Sequence, residues 1–303
     1  MRIATTQYQS AMNRSLQANQ SAMARLDEQM SSMKKILVPS DDPVTNVRIS
    51  RLYREEAQIS QYAENIGAVK IRLSKNETYL QGMVEDLGQI RDTMVWALDA
   101  SNTPADLNAM VNSLTSLRES LLYNSNTKDQ EGRYIFSGTT TGTAALGFDP
   151  DAAAGSRYTY TGNTGEQKVV IGNGVIQTAN ANLDGMQTFL NQLDIAIEAL
   201  KSPTLTVGDP DLRAALTATL DGVDTSTAML SGKIADFGGA QNIMQTLSNN
   251  LSNVSLSNKV AITELGQVDM AMAASELTGY TVALQSTYKT YAKVSSLSLF
   301  NIL

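Results

Sequence analysis

The chain has 303 residues, of which only 17% are charged, and a formal net charge of −7. It contains neither Cys nor His, which removes disulfides, thiolate nucleophiles, sulfur metal sites and the commonest general base and metal ligand together. The acidic balance argues against a nucleic-acid partner, and the length allows about two domains with a sizeable core.

The N-terminus, Met1-Arg2-Ile3-Ala4-Thr5-Thr6-Gln7, is polar and has no apolar run of the secretory type. No stretch of the chain is long and apolar enough to suggest membrane insertion. If the protein works outside the cell, it is expected to leave by a route that cleaves no signal peptide; a cytoplasmic home is the alternative that composition leaves open.

Met12, Leu16, Asn19, Met23, Leu26, Met30, Met33 and Leu37 follow one another at alternating spacings of four and three. That spacing predicts an amphipathic first helix with one apolar stripe. Pro39 is expected to end it, because the residue before a proline is pushed out of helical geometry. In Pro39-Ser40-Asp41-Asp42-Pro43 the sequence reads as a hinge and helix cap: Asp42 suits an N-cap, and Pro43 suits the first helical position. Two adjacent carboxylates could also suggest a metal or acid pair, yet no other ligands accompany them, and the cap is preferred.

The next stripe is the longest. Ile59, Tyr62, Ile66, Val69, Leu73, Asn76, Leu80, Met83, Leu87, Ile90, Met94 and Ala97 alternate three and four without a slip. A helix over 43–100 would be roughly 60–85 Å long. Thr103-Pro104-Ala105-Asp106 reads as an N-cap, a first-position proline and an acidic third position. Leu107, Met110, Leu114, Leu117 and Leu121 carry a further helix, expected to fold back antiparallel. Asn19 and Asn76 lie at stripe positions, where a buried amide specifies register and a solvated one does nothing.

Composition changes at Gly132. Tyr158-Thr159-Tyr160-Thr161 and Val169-Val170-Ile171 alternate between Gly and Asn clusters and read as short strands. Asn173-Gly174 is a hairpin signal; a phosphate loop is excluded there by the missing third glycine and helix. Scattered acids at Asp149, Asp151, Glu166 and Asp184 could in principle support a paired-carboxylate mechanism, but solvated loop acids are the simpler account. Helical pattern resumes over Met186–Leu200, breaks at Ser202-Pro203 and Gly208-Asp209-Pro210, and runs on from Asp211.

At the C-terminus Met270, Ala273, Leu277, Tyr280, Leu284, Thr287, Tyr291 and Val294 again alternate three and four, followed by Leu297, Leu299, Phe300, Ile302 and Leu303. A stripe at each extreme of the chain points to pairing of the ends and to completion by another copy. The subunit-packing residues expected are Met12, Leu16, Met23, Leu26, Met30, Met33 and Leu37 with Leu277, Tyr280, Leu284, Tyr291, Val294, Leu297, Phe300 and Leu303. These ends carry few charges and thin stripes, and are expected to order only on assembly. The expected architecture is mainly α with a β-rich insertion: a long antiparallel helical rod, paired coiled-coil termini and an outward β module. The expected division is 1–42 with 266–303 for assembly, 43–136 with 211–265 for the rod, and 137–210 for the insertion.

Several segments resemble a known family. Ser40-Asp41-Asp42-Pro43 after an amphipathic helix looks like the signature of flagellin-related axial proteins of bacteria. Gln61-Tyr62-x-x-Asn65, the run Asn126-Thr127-Lys128-Asp129-x-x-Gly132-Arg133-Tyr134-Ile135-Phe136-Ser137-Gly138 and the ending Ser298-Leu299-Phe300-Asn301-Ile302-Leu303 narrow it to the hook–filament junction proteins of that family. The resemblance covers 1–138 and about 226–303 well, and the insertion only in outline. It implies a structural subunit with no cofactor and no catalysis, located in the extracellular flagellum. Its implied partners are other copies in a ring, hook-associated protein 1, flagellin, and an export chaperone on the C-terminal region during type III export without a cleaved signal. A flagellin-type filament subunit is the close alternative; an adhesive insertion stays open too.

Overall fold

The computed structural model describes residues 2–202 and 208–296. Among them the elements run α1 (Arg2–Ser32), α2 (Pro43–Ala97), α3 (Pro104–Ser125), β1 (Leu146–Phe148), β2 (Tyr158–Tyr160), β3 (Lys168–Gly172), β4 (Val175–Thr178), α4 (Met186–Leu200), α5 (Pro210–Gly266) and α6 (Met270–Ser296). The chain is mainly α with small antiparallel sheets inserted between α3 and α4. By contacts it divides into two units, 1–59 with 252–303 and 60–251.

The larger unit is built on the long stripe. Leu73, Leu80, Met83, Leu87, Ile90 and Met94 are fully buried, since helical spacing places them on one side of α2. α5 runs antiparallel to α2: polar rungs join Lys70 to Gln245 at 2.6 Å, Glu77 to Gln241 at 2.9 Å and Arg91 to Asp224 at 3.2 Å. Numbers on one helix fall as those on the other rise. α3 folds back on α2, with the Ser120 hydroxyl donating to Asp86 at 2.7 Å. It begins at Thr103, whose hydroxyl accepts the Asp106 N–H while Asp106 accepts the Thr103 N–H, a reciprocal capping box.

The two sheets are minimal. β1 pairs antiparallel with β2, opposing Phe148 to Tyr158, whose ring centroids lie 5.1 Å apart. β3 and β4 form a hairpin across Asn173-Gly174, where Gly174 adopts φ 71°, a backbone geometry that a two-residue hairpin turn needs and that glycine takes without strain. Gly138–Gly142 forms turns, and Leu146–Phe148 is a strand that no alternating pattern announces. The insertion does not stand apart. Leu146, Tyr158 and Ile171 share one continuous core with α2, α3, α4 and α5.

The core residue with most charge around it is Asp194 of α4, which is fully buried. Its carboxylate lies 2.7 Å from Arg118 of α3 and 3.2 Å from Arg157, just before β2. Asn191, one turn earlier, accepts the Tyr158 N–H at 2.9 Å and donates to the Tyr158 carbonyl at 2.8 Å, so α4 completes the edge of that strand.

The division between units falls inside α2 and α5, where the side chains between the helices change character. Apolar packing gives way to Glu56, Ser255, Asn258 and Lys259: the Ser255 hydroxyl donates to Glu56 at 2.7 Å, with Lys259 at 3.9 Å. Asn258 is buried, and its amide nitrogen has no partner among the described residues. Residues of the insertion, Leu146, Tyr158 and Ile171 among them, lie in the same unit as the helices they pack on.

In the smaller unit the first helix ends at Ser32, seven residues before Pro39, which corrects the expectation that proline ends it. The cause is tertiary. Met33 turns into left-handed geometry with φ 57°, and the chain then pairs with the link between α5 and α6. Lys34 opposes Gln267, the Lys35 N–H donates to the Gly266 carbonyl at 2.8 Å, and the Val268 N–H donates to the Met33 carbonyl at 3.2 Å. Met33 and Leu37 are therefore not on the α1 stripe; Met33 is 60% exposed and Leu37 half-buried.

Candidate functional site

The cap at Asp42 is local chemistry. Pro43 opens α2, and the Asp42 carboxylate accepts the Thr45 N–H at 3.0 Å and the Thr45 hydroxyl at 2.6 Å. This satisfies a donor that every helix start leaves open. The Thr45 hydroxyl and N–H hold the Asp42 carboxyl below the usual carboxylate range, against a smaller desolvation effect.

Asp41 does something different. The turn Val38-Pro39-Ser40-Asp41 closes with the Asp41 N–H donating to the Val38 carbonyl at 3.0 Å, with proline at the position whose fixed φ suits a turn. The Asp41 carboxylate then accepts the Leu37 and Val38 N–H groups at 3.0 and 3.1 Å. Its other oxygen meets Arg25 of α1 at 2.7 Å. The bond from Val38 is the chief reason its carboxyl sits below the ordinary range, helped by Arg25 and Leu37 and opposed by desolvation. The expected hinge is thus a structured corner that ties α1 to the start of α2.

α1 and α6 pair antiparallel. The Lys34–Gln267 bridge marks one end, and farther along the Gln20 amide donates to the Tyr288 hydroxyl at 3.3 Å. Of the expected packing residues, Met12 and Leu26 are buried, as is Ala273 opposite. Leu16, Met23 and Met30 on α1, and Leu277, Tyr280 and Leu284 on α6, remain half-buried, and Tyr291 is exposed. Val294 lies in α6 with its side chain outside the description; Leu297, Phe300 and Leu303 lie outside the described residues. The pair therefore buries its stripe on one side only. Fully burying such a side chain contributes about 1.5–3 kcal/mol, and much of that remains unrealised within one chain.

Asp269 escaped the sequence reading. Its carboxylate accepts the Ala271 and Met272 N–H groups at 2.9 and 3.1 Å and so caps α6. An acidic residue directly before the renewed spacing at Met270 was the available signal. In the same unit a groove of about 480 Å³ is lined by Met33, Ile36, Ile49, Tyr53, Ile262 and Gly266.

The segment 126–138 is held by specific contacts. The Asn126 side chain accepts the Leu146 N–H at 2.9 Å and donates to the Leu146 carbonyl at 2.8 Å. Asp129 accepts from the Arg133 backbone at 2.9 Å and from its guanidinium at 3.0 Å, the Lys128 ammonium lies 4.6 Å from the centre of the Tyr134 ring, and Phe136 is fully buried. At Gly138, φ is 72° and a Cβ would run into Asn163.

The loop acids serve separate local roles. The Asp149 carboxylate accepts the Asp151 N–H at 3.0 Å, Glu166 pairs with Lys168 at 3.2 Å, and Asp184 accepts from Gln187 at 3.2 Å. Among the described residues no three acids gather in a way that could hold a metal ion, and no helix is long and apolar enough to cross a membrane.

The bacterial flagellin N-terminal helical region matches residues 3–141, and the corresponding C-terminal helical region matches residues 220–303. Over its whole length the chain is 28% identical to flagellar hook-associated protein 3 of Escherichia coli K12 and to that of Salmonella typhimurium LT2, covering 99% of each. A solved structure described as a flagellar hook-associated protein of Vibrio parahaemolyticus is 31% identical, with a TM-score of 0.67, over 75% of this chain and 100% of that one. With both terminal helical regions matched and the likeness running the length of the chain, the chain is a member of the flagellin-like family of flagellar hook-associated proteins.

Proposed function

We infer that this chain is a structural subunit of the bacterial flagellum and forms the junction ring that connects the hook, through hook-associated protein 1, to the flagellin filament. The observation that carries this reading is the end-to-end likeness to hook-associated protein 3, which includes both terminal stripes. The physical account is the half-covered α1–α6 pair: its stripe is finished by copies of the same chain and by the neighbours above and below. In this reading 1–42 with 266–303 is the assembly part, 43–136 with 211–265 supports it, and 137–210 faces outward. The subunit acts without catalysis or cofactor, reaches the extracellular flagellum without a cleaved signal, and meets an export chaperone through its C-terminal region beforehand. The terminal stripes would then have two successive partners, and they would order fully only with the second.

Electron microscopy of a strain lacking the gene tests the reading. Hooks without filaments, with flagellin shed into the medium, are expected; hooks with no flagellin made would overturn it. Deleting residues 284–303 should abolish junction formation while the unit 60–251 stays folded, and normal filament attachment after that deletion would refute the role of the C-terminal stripe. Because flagellin regions match the chain, a filament subunit is the second reading, and growth of the purified protein into long filaments after seeding would favour it.

A further inference from the structure

Charge is distributed very unevenly along this chain. Segments 1–59 and 252–303 carry eleven Lys and Arg against nine Asp and Glu, a net of +2; segment 60–251 carries twelve against twenty-one, a net of −9. Three of the smaller unit's eleven cations line one side of α2. Arg48, Arg51 and Arg54 lie three residues apart near the start of α2, which places them along one side of the helix. All three are exposed, and none has an acidic partner among the described residues. Val44 and Val47 share that side and are 68% and 55% exposed, while Ile49, Leu52 and Glu56 turn inward to varying degrees.

The larger unit presents the complementary pattern on the later part of the same helix. Glu85 and Asp92 are exposed and seven residues apart, so they share a side of α2, and neither is in an ion pair among the described residues. Trp96, the only tryptophan of the chain, continues that side at 55% exposed, flanked by Val95 at 52%. The basic face also holds the exposed Glu55, which leaves three arginines against one acid, so each face combines a net charge of one sign with apolar surface that a single chain leaves wet. A face mixing an exposed aromatic with charge is the composition of a contact surface rather than of ordinary solvated helix.

We propose that the basic face Val44–Arg54 of one copy docks on the acidic face Glu85–Trp96 of a second copy. The contact is heterologous: the two patches differ, so each copy uses one patch forward and one backward, and copies add in sequence and close into a ring or continue as a helix. The charges fix the order of neighbours and disfavour like-to-like pairing, while Val47, Val95 and Trp96 supply the apolar centre. This rests on the reading of the chain as a ring-forming flagellar subunit and adds which surfaces meet.

The chain has no Cys, which makes disulfide trapping clean. The full-length protein carrying Val47→Cys and Val95→Cys is expressed in place of the native copy, and isolated flagella are oxidised with copper–phenanthroline and air. The double variant should give a ladder of cross-linked oligomers of this chain, and each single variant none. If the variant is present in the flagella and gives no ladder, or if Val47→Cys links only to a chain of another kind, the proposed surface is overturned and the flagellar reading stands. If the native protein itself is absent from flagella, both fall. Charge reversal gives a second measure. Arg51→Glu with Arg54→Glu should lower the number of attached filaments roughly tenfold, and adding Glu85→Lys with Asp92→Lys should restore it. Failure of the second pair to restore attachment, with both variants folded by circular dichroism, overturns the pairing.

Discussion

Arg25 of α1 and Asp41 of the corner before α2 lie 2.7 Å apart, and the same Asp41 carboxylate accepts two backbone N–H groups from Leu37 and Val38. One side chain therefore closes its own turn and anchors a helix from elsewhere in the sequence. Because the folded state holds this carboxyl below its ordinary range, the stabilisation is fully present above the unfolded value of about 4 and is lost as pH falls through the lower folded value. Amide exchange at Leu37 and Val38, corrected for its intrinsic pH dependence, should be flat near neutrality and accelerate only in that acid window. Asp41→Asn should show fast exchange at neutral pH. Unchanged exchange in that variant would remove the carboxylate from the account.

The two units should respond differently to the loss of one leucine. Leu80 is fully buried in the continuous core, and Leu80→Ala should cost about 2–5 kcal/mol in urea denaturation followed by circular dichroism. Leu16 is half-buried on α1, and Leu16→Ala should cost roughly 1 kcal/mol or less in the isolated chain. The order of the two should reverse when the readout is filament attachment.

Asp194 has no solvent contact and two guanidiniums beside it. Asp194→Ala leaves Arg118 in the interior without its carboxylate and should destabilise by about 3–5 kcal/mol. Replacing both partners, Asp194→Ala with Arg118→Met, should cost less than the first change alone, since no uncompensated charge then remains near the core. Additive losses from thermal melts of the single and double variants would argue that the pair acts through shape alone.

Gly132 and Gly138 both have left-handed backbones, at φ 78° and 72°, but only at Gly138 does a Cβ meet other atoms, those of Asn163. Gly132→Ala should therefore show the backbone strain alone, roughly 1 kcal/mol. Gly138→Ala should cost about 1–3 kcal/mol, with a further loss from displacing Asn163, whose side chain holds the Thr139 N–H at 2.8 Å. Equal melting temperatures for the two variants would contradict this.

Features fixed by neighbours in sequence were legible before the structure. The stripe from Ile66 to Met94, the Thr103–Asp106 capping box and the Asn173-Gly174 turn each depend on residues a few positions apart, and each appears in the fold. The capped start of α2 at Asp42 is of the same kind. What the pattern missed depends on distant partners. α1 stops at Ser32 because Met33–Lys35 pairs with Gly266–Val268, and nothing within α1 signals that. β1 forms because Tyr158–Tyr160 lies beside it and Asn126 grips Leu146. The terminal stripes were visible as spacing, yet spacing alone did not distinguish residues buried within the pair, such as Leu26 and Ala273, from those left open, such as Leu16 and Leu284.

α2 and α5 carry their backbones past Ile59 and Ser252, while the leucine core does not follow them. Just past that point Glu56, Ser255 and Asn258 stand between the helices, and the apolar residues beyond them, such as Ile49, Leu52, Ile262 and Leu265, are only half-buried. Cooperativity in folding follows buried apolar contact more than helical hydrogen bonding. Each unit's stretch of these helices therefore depends for its stability on the apolar contacts buried within that unit, and residues 60–251 hold by far the larger share of them.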